Sequence, residues 1–87
     1  LSKRYLKAVD VLARARADGG HDAQVEAYRG VVEFCRDPVA RLAHSVEFLA
    51  AARAAGDPLT VLEALDCRAA AHIAVAQSDS DWAGPTL

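Results

Sequence analysis

The side chains with which this 87-residue chain could do chemistry are three histidines, two cysteines and twelve carboxylates, so their spacing is the first test of function. In the run His44-Ser45-Val46-Glu47 an imidazole and a carboxylate stand one helical turn apart. Carboxylate-bridged di-iron bundles use Glu-x-x-His twice, with two further inward glutamates. Here the order is reversed and occurs once, so His44 and Glu47 read as a solvated i,i+3 pair. Cys35, Cys67, His21, His44 and His72 are numerous enough for one zinc ion, but no two show the C-x₂₋₄-C or H-x₃₋₅-H spacing of structural sites. Cys67 and His72, five apart, diverge by about 140° around a helix. A Cys–His nucleophile needs an orienting third group and a pocket, and the sequence marks neither. Gly19-Gly20 follows no strand and precedes no Gly-Lys, so it is a helix stop and not a phosphate loop. The expectation is a noncatalytic chain with no metal and no cofactor.

The elements that position these residues are helices. No stretch alternates apolar and polar residues, and the chain is punctuated at Gly19-Gly20, Asp37-Pro38 and Gly56-Asp57-Pro58. Gly accepts the left-handed conformation that closes a helix. Asp-Pro sets a capping carboxylate before a proline at the first helical position. The first helix is expected from Ser2, its N-cap, to about Ala17, with Tyr5, Val9 and Leu12 as its apolar stripe. The last runs from Pro58 to about Gln77.

Between them Val25, Tyr28, Val32, Cys35, Val39, Leu42, Val46 and Leu49 recur in steps of three and four, a heptad seam in phase across Pro38. This pattern admits two architectures. One is a four-helix bundle divided at Asp37-Pro38. The other, slightly favoured by the shared phase, is three long helices with residues 22–55 forming one helix kinked at Pro38. Either is a small antiparallel all-α bundle, and the second is only two helices thick and needs a second copy to enclose its core. On this reading Val46 faces inward, so that Val46→Asp breaks the fold while Glu47→Ala is nearly silent.

In the last helix Leu59, Leu62, Ala69, Ile73 and Ala76 form one stripe, while Val61, Leu65 and Val75 lie well off it. A helix apolar over most of its circumference is buried on more than one side. Phe48 lies roughly 200° around its helix from Val46. These positions, with the lone Trp82, make Phe48, Val61, Leu65, Val75 and Trp82 the candidate interface. The chain divides into a helical domain over 1–77 and an acidic tail over 78–87.

Composition limits the partners. Eighty-seven residues form one domain with a small core, and much of the 53% hydrophobic content is alanine, which buries little area. The net charge of −2 gives no overall attraction to nucleic acid. The distribution is uneven. Residues 1–18 carry five Lys or Arg against two Asp, net +3, and the remainder five Arg against ten acids, net −5. Helices of opposite sign lying side by side are the expected reason. The alternative is a small DNA-binding regulator, in which the helix after the Gly19-Gly20 turn would read bases, yet residues 23–36 hold only Arg29 and Arg36 against Glu26 and Glu33. A helical accessory subunit of an enzyme complex is a further alternative.

No apolar run approaches the ~20 residues of a membrane span, and two cysteines in an alanine-rich helical chain suit free thiols in a cytoplasmic setting. The excess of Arg over Lys and the lack of Asn resemble products of GC-rich bacterial genomes. The expected function is a helical protein–protein interaction module: a homodimerisation, docking or adaptor domain, or a small partner subunit.

Overall fold

The computed structural model describes the backbone over residues 2–83 and the side chains over 2–78. Among these residues the chain is all-α, with α1 (Lys3–Asp18), α2 (His21–Phe34), α3 (Pro38–Ala55) and α4 (Pro58–Ala83). The caps follow from the punctuation. The Ser2 hydroxyl accepts from the Tyr5 N–H at 3.2 Å. Asp57 accepts from the Leu59 N–H at 3.1 Å and from the Thr60 hydroxyl at 2.7 Å, which holds its carboxyl below the ordinary range. Gly56 closes α3 in the left-handed conformation at φ 75°, where a side chain would be strained. Gly19 serves differently. Its φ of −88° is ordinary, but a Cβ there would lie 2.8 Å from the Ala15 carbonyl oxygen and 2.9 Å from the Ala23 Cβ. The α1–α2 corner therefore needs glycine for space, and not for a left-handed turn.

The favoured expectation of one kinked helix over 22–55 is corrected: α2 ends at Phe34 and α3 begins at Pro38. Proline disfavours helical geometry in the residue before it, and Asp37 is extended, with ψ 120°. Two side chains then lock the corner. The Asp37 carboxylate accepts from the Ala40 N–H at 3.1 Å. The Arg41 guanidinium donates through Nε at 2.8 Å, and through Nη2, to the Cys35 carbonyl, one of the orphan acceptors at the end of α2. The other end of the chain also differs. α4 continues past Gln77 to Ala83, into the segment read as a tail. Ser78-Asp79-Ser80-Asp81 contains no helix breaker, and the first is Gly84-Pro85.

Each helix packs chiefly on its neighbours in sequence, α1 on α2, α2 on α3 and α3 on α4. The Cα trace measures 50 × 29 × 14 Å, with a radius of gyration of 14.3 Å against about 12 Å for 87 compactly folded residues. Two helix axes ~8–10 Å apart, plus the width of a backbone cylinder, account for the shortest dimension. The body is thus two helices deep.

Its core is centred on α2 and α3: Val25, Tyr28, Val31 and Val32 from the first, Phe48, Leu49 and Ala52 from the second, with Leu12 and Ala15 closing one side and Ala64 the other. Val25, Tyr28, Val32 and Cys35 are buried as the seam requires, but beyond the corner the seam fails, since Val39 and Val46 are exposed. Three residues of nonhelical chain do not turn as three residues of helix do, so the phase resets at Pro38. The buried face of α3 is Ser45, Phe48, Leu49 and Ala52. Ser45 is sealed from solvent, and its hydroxyl donates to the Leu42 carbonyl at 2.7 Å.

The reset inverts the mutational expectation. Phe48, wholly buried, should cost about 3–5 kcal/mol on change to alanine, as large core truncations do. Val46, 49% exposed, should accept aspartate for under about 1 kcal/mol. Urea unfolding of both variants, followed by circular dichroism, checks the pair. A larger loss from Val46→Asp would restore the continuous seam.

Candidate functional site

Tyr5, Cys35 and His44 lie around the corner between α2 and α3, whereas His21 begins α2 and Cys67 and His72 lie on α4. Tyr5 reaches across from α1, and its hydroxyl shares a 2.9 Å hydrogen bond with Nε2 of His44. His44 Nδ1 is buried without a partner among the described residues. Glu47 is also half-buried, so the solvated His44–Glu47 pair gives way to an imidazole held by a phenol. Beside them a groove of about 540 Å³ is lined by Tyr5, Phe34, Cys35, Asp37 and Ala40. Burial, with the Cys35 thiol close by, pushes the Tyr5 phenol above its ordinary value.

Cys35 is buried, and its thiol donates to the Asp37 carbonyl at 3.6 Å. It stands at the C-terminal end of α2 as its C-cap. Cys67 lies on α4, and burial, with Glu63 and Asp66 near, pushes its thiol up. Among the described residues no three His, Cys, Asp or Glu converge as metal ligands. What the corner offers chemically is an apolar cleft beside a phenol–imidazole hydrogen bond.

The strongest electrostatic contact is elsewhere. Arg29 of α2 makes a forked pair with Glu63 of α4, Nε to Oε2 and Nη2 to Oε1, each 2.7 Å, and also contacts Glu26 on its own helix. A guanidinium matches a carboxylate in this planar, two-bonded geometry. These bonds raise Arg29 further above its ordinary range and lower Glu63 below its own. Arg29 also lies 5.9 Å from the Phe48 ring centroid. It is therefore committed to fastening α4 over the core.

The basic helix α1 lies beside α2, whose range holds three acids against one Arg, as the charge distribution predicts. The contacts are cation–π and not ionic. Arg4 sits 5.8 Å from the Phe34 ring centroid and Arg16 5.9 Å from that of Tyr28. Arg14 pairs with Asp10 on its own helix at 3.0 Å. No ion pair among the described residues engages Lys3 or Lys7.

The candidate interface residues do not form one surface. Phe48 is fully buried within the chain's own core, a correction that follows from the reset phase. Val61 and Leu65 are half-buried and packed against that core, and Val75 is half-buried. The Trp82 side chain lies outside the described residues. The open apolar surface is instead the stripe expected to be buried, with Leu59 76%, Leu62 59% and Ile73 58% exposed, and Ala69 and Ala76 exposed beside them. Thr60, Ala64 and Ala71 form the buried face opposite. The helix packs through this line of small residues, flanked by Val61 and Leu65, and leaves Leu59, Leu62 and Ile73 outward. The expectation of burial on more than one side did not separate these two faces. The available counter-signal was the run of small residues Thr60, Ala64, Cys67, Ala71 and Ala74 at helical spacing, which permits close approach of a neighbouring helix.

The forked pair gives a pH prediction. Glu63 is lowered in the folded chain, so its contribution is complete above the ordinary carboxylate value, near 4.3, and is lost as pH falls through the folded value. Both partners are partly exposed, so screening limits the contribution to about 0.5–1 kcal/mol. Glu63→Gln should lower urea-unfolding stability by that amount at pH 7, and the gap to wild type should close as pH falls below the folded value. A gap unchanged at low pH would show that charge is not its source.

Comparison of the chain with protein-family models, with curated proteins and with solved structures finds no match to any of them.

Proposed function

We propose that this chain is a noncatalytic helical interaction module whose docking surface is the outer face of α4. The observation that carries the reading is the inversion of that helix: Leu59, Leu62 and Ile73 face solvent while Thr60, Ala64 and Ala71 face the core. A helix held only by its own bundle gains most by turning its largest apolar side chains inward, at about 1.5–3 kcal/mol for each one fully buried. Contiguous exposed apolar surface of this kind marks interaction sites. The positions fall at 59, 62, 66, 69, 73 and 76, alternating steps of three and four, the spacing with which one helix receives another. Asp66 is the charged member of the series and is exposed.

Three further features support the reading. The two-helix depth of the body leaves a small core for its length. The Cys35 thiol is buried and hydrogen-bonded to a backbone carbonyl. Arg29, the cation that a reading helix at α2 would need, is taken by Glu63 and Glu26, so the interaction reading is favoured over a DNA-binding regulator. No helix among the described residues is long and apolar enough to cross a membrane, and a cytoplasmic docking, dimerisation or adaptor domain suits the two free thiols.

The test separates a docking face from a structural one. A Leu59→Gln, Leu62→Gln, Ile73→Gln variant should keep its helix content, and in dilute solution its melting temperature should stay within about 3 °C of wild type. Binding of an apolar fluorescent dye by the folded chain should fall severalfold. Loss of the fold in the dilute variant would show that these side chains serve the bundle itself and would end the docking interpretation.

A further inference from the structure

We infer that the outer face of α4 receives α1 from a second copy of this chain, an inference that rests on the docking reading above. The argument is charge and apolar complementarity between two helices that do not pack side by side within one chain. α1 carries Lys3, Arg4, Lys7, Arg14 and Arg16 against Asp10 and Asp18, net +3. α4 carries Glu63, Asp66, Asp79 and Asp81 against Arg68, net −3. Each is the helix of its sign with an open apolar stripe. On α1, Leu6, Ala13 and Ala17 are exposed on the side that also presents Lys3, and the acid on that side, Asp10, is paired with Arg14 at 3.0 Å. On α4, Leu59, Leu62 and Ile73 surround Asp66.

The polar residue in the α4 stripe decides between partners. Two α4 helices laid antiparallel with Leu62 opposite Ile73 bring their Asp66 side chains close together, and like charges within a seam oppose pairing. An α1 helix laid there brings Lys3 and Lys7, two of its four cations without an ion-paired partner among the described residues. A single helix pair hides too little for a specific dimer, which takes about 800 Å² per partner. In a two-fold dimer the α1–α4 contact occurs twice and doubles the buried area. It also covers Leu6, Leu59, Leu62 and Ile73, the four exposed leucine and isoleucine side chains among the described residues.

Sedimentation velocity of the whole chain, from about 10 to 500 μM and at low and moderate salt, tests this directly. Wild type should approach twice 9.2 kDa with rising concentration and dissociate as salt rises. Lys3→Glu with Lys7→Glu, both at exposed positions, should weaken association about tenfold at low salt while leaving helix content unchanged. Adding Asp66→Lys to that variant should recover part of the loss. A wild-type chain monomeric throughout, or a lysine variant that associates as wild type does, overturns the inference. The glutamine variant of α4 keeps the two failures apart. If it stays folded and loses dye binding while wild type is monomeric, the docking face stands and only its occupant is wrong.

Discussion

The rest of the structure depends on the corner at residues 35–37. Pro38 forbids an uninterrupted helix, Asp37 turns that prohibition into a cap for α3, and Arg41 reaches back to satisfy the carbonyl that α2 leaves behind. With those bonds in place the azimuth of α3 is set independently of α2. Phe48 and Ser45 turn inward and Val39 and Val46 turn out. Tyr5 then finds His44, and Arg29 can reach both the Phe48 ring and the carboxylate of Glu63. A continuous helix through the same residues would give none of these contacts.

The position of α4 follows from that arrangement. α3 offers it a surface on which Ala52 is completely buried, and α4 answers with Ala64 and Ala71, also completely buried. Alanine faces let helices approach closely, but each alanine contributes little burial. The forked Arg29–Glu63 pair supplies direction where apolar area is lacking, because it fixes the rotation of α4 about its axis. That rotation is what turns Leu59, Leu62 and Ile73 outward.

Much of this was legible in the residues. Ser2, Asp37-Pro38 and Gly56-Asp57-Pro58 mark helix ends because capping is a local matter of one side chain and one or two N–H groups. Val25, Tyr28, Val32 and Cys35 identify the buried side of α2 because helical period holds within a helix. The period carries no information across Asp37, since extended backbone has a different twist, and so the agreement of phase on its two sides is a coincidence of spacing. The face of α4 was hidden for a different reason. An apolar residue on nearly every side of a helix does not say which side packs, whereas here close approach and an ion pair decide it. The meeting of Tyr5 with His44, 39 residues apart, has no local signature at all.

The connection between Arg41 and the Cys35 carbonyl spans six residues. Every principal packing in the molecule is likewise between helices adjacent in the chain. Such a topology has low contact order, and chains of this kind close short loops before any long one is required. The α2–α3 corner, with its caps and its share of the core, is the natural nucleus on which α1 and α4 settle from opposite ends. Neither outer helix waits for the other, so each can detach while the central pair persists. The order of assembly thereby assigns the two outer helices to the exchangeable rim of the domain and the corner to its permanent part.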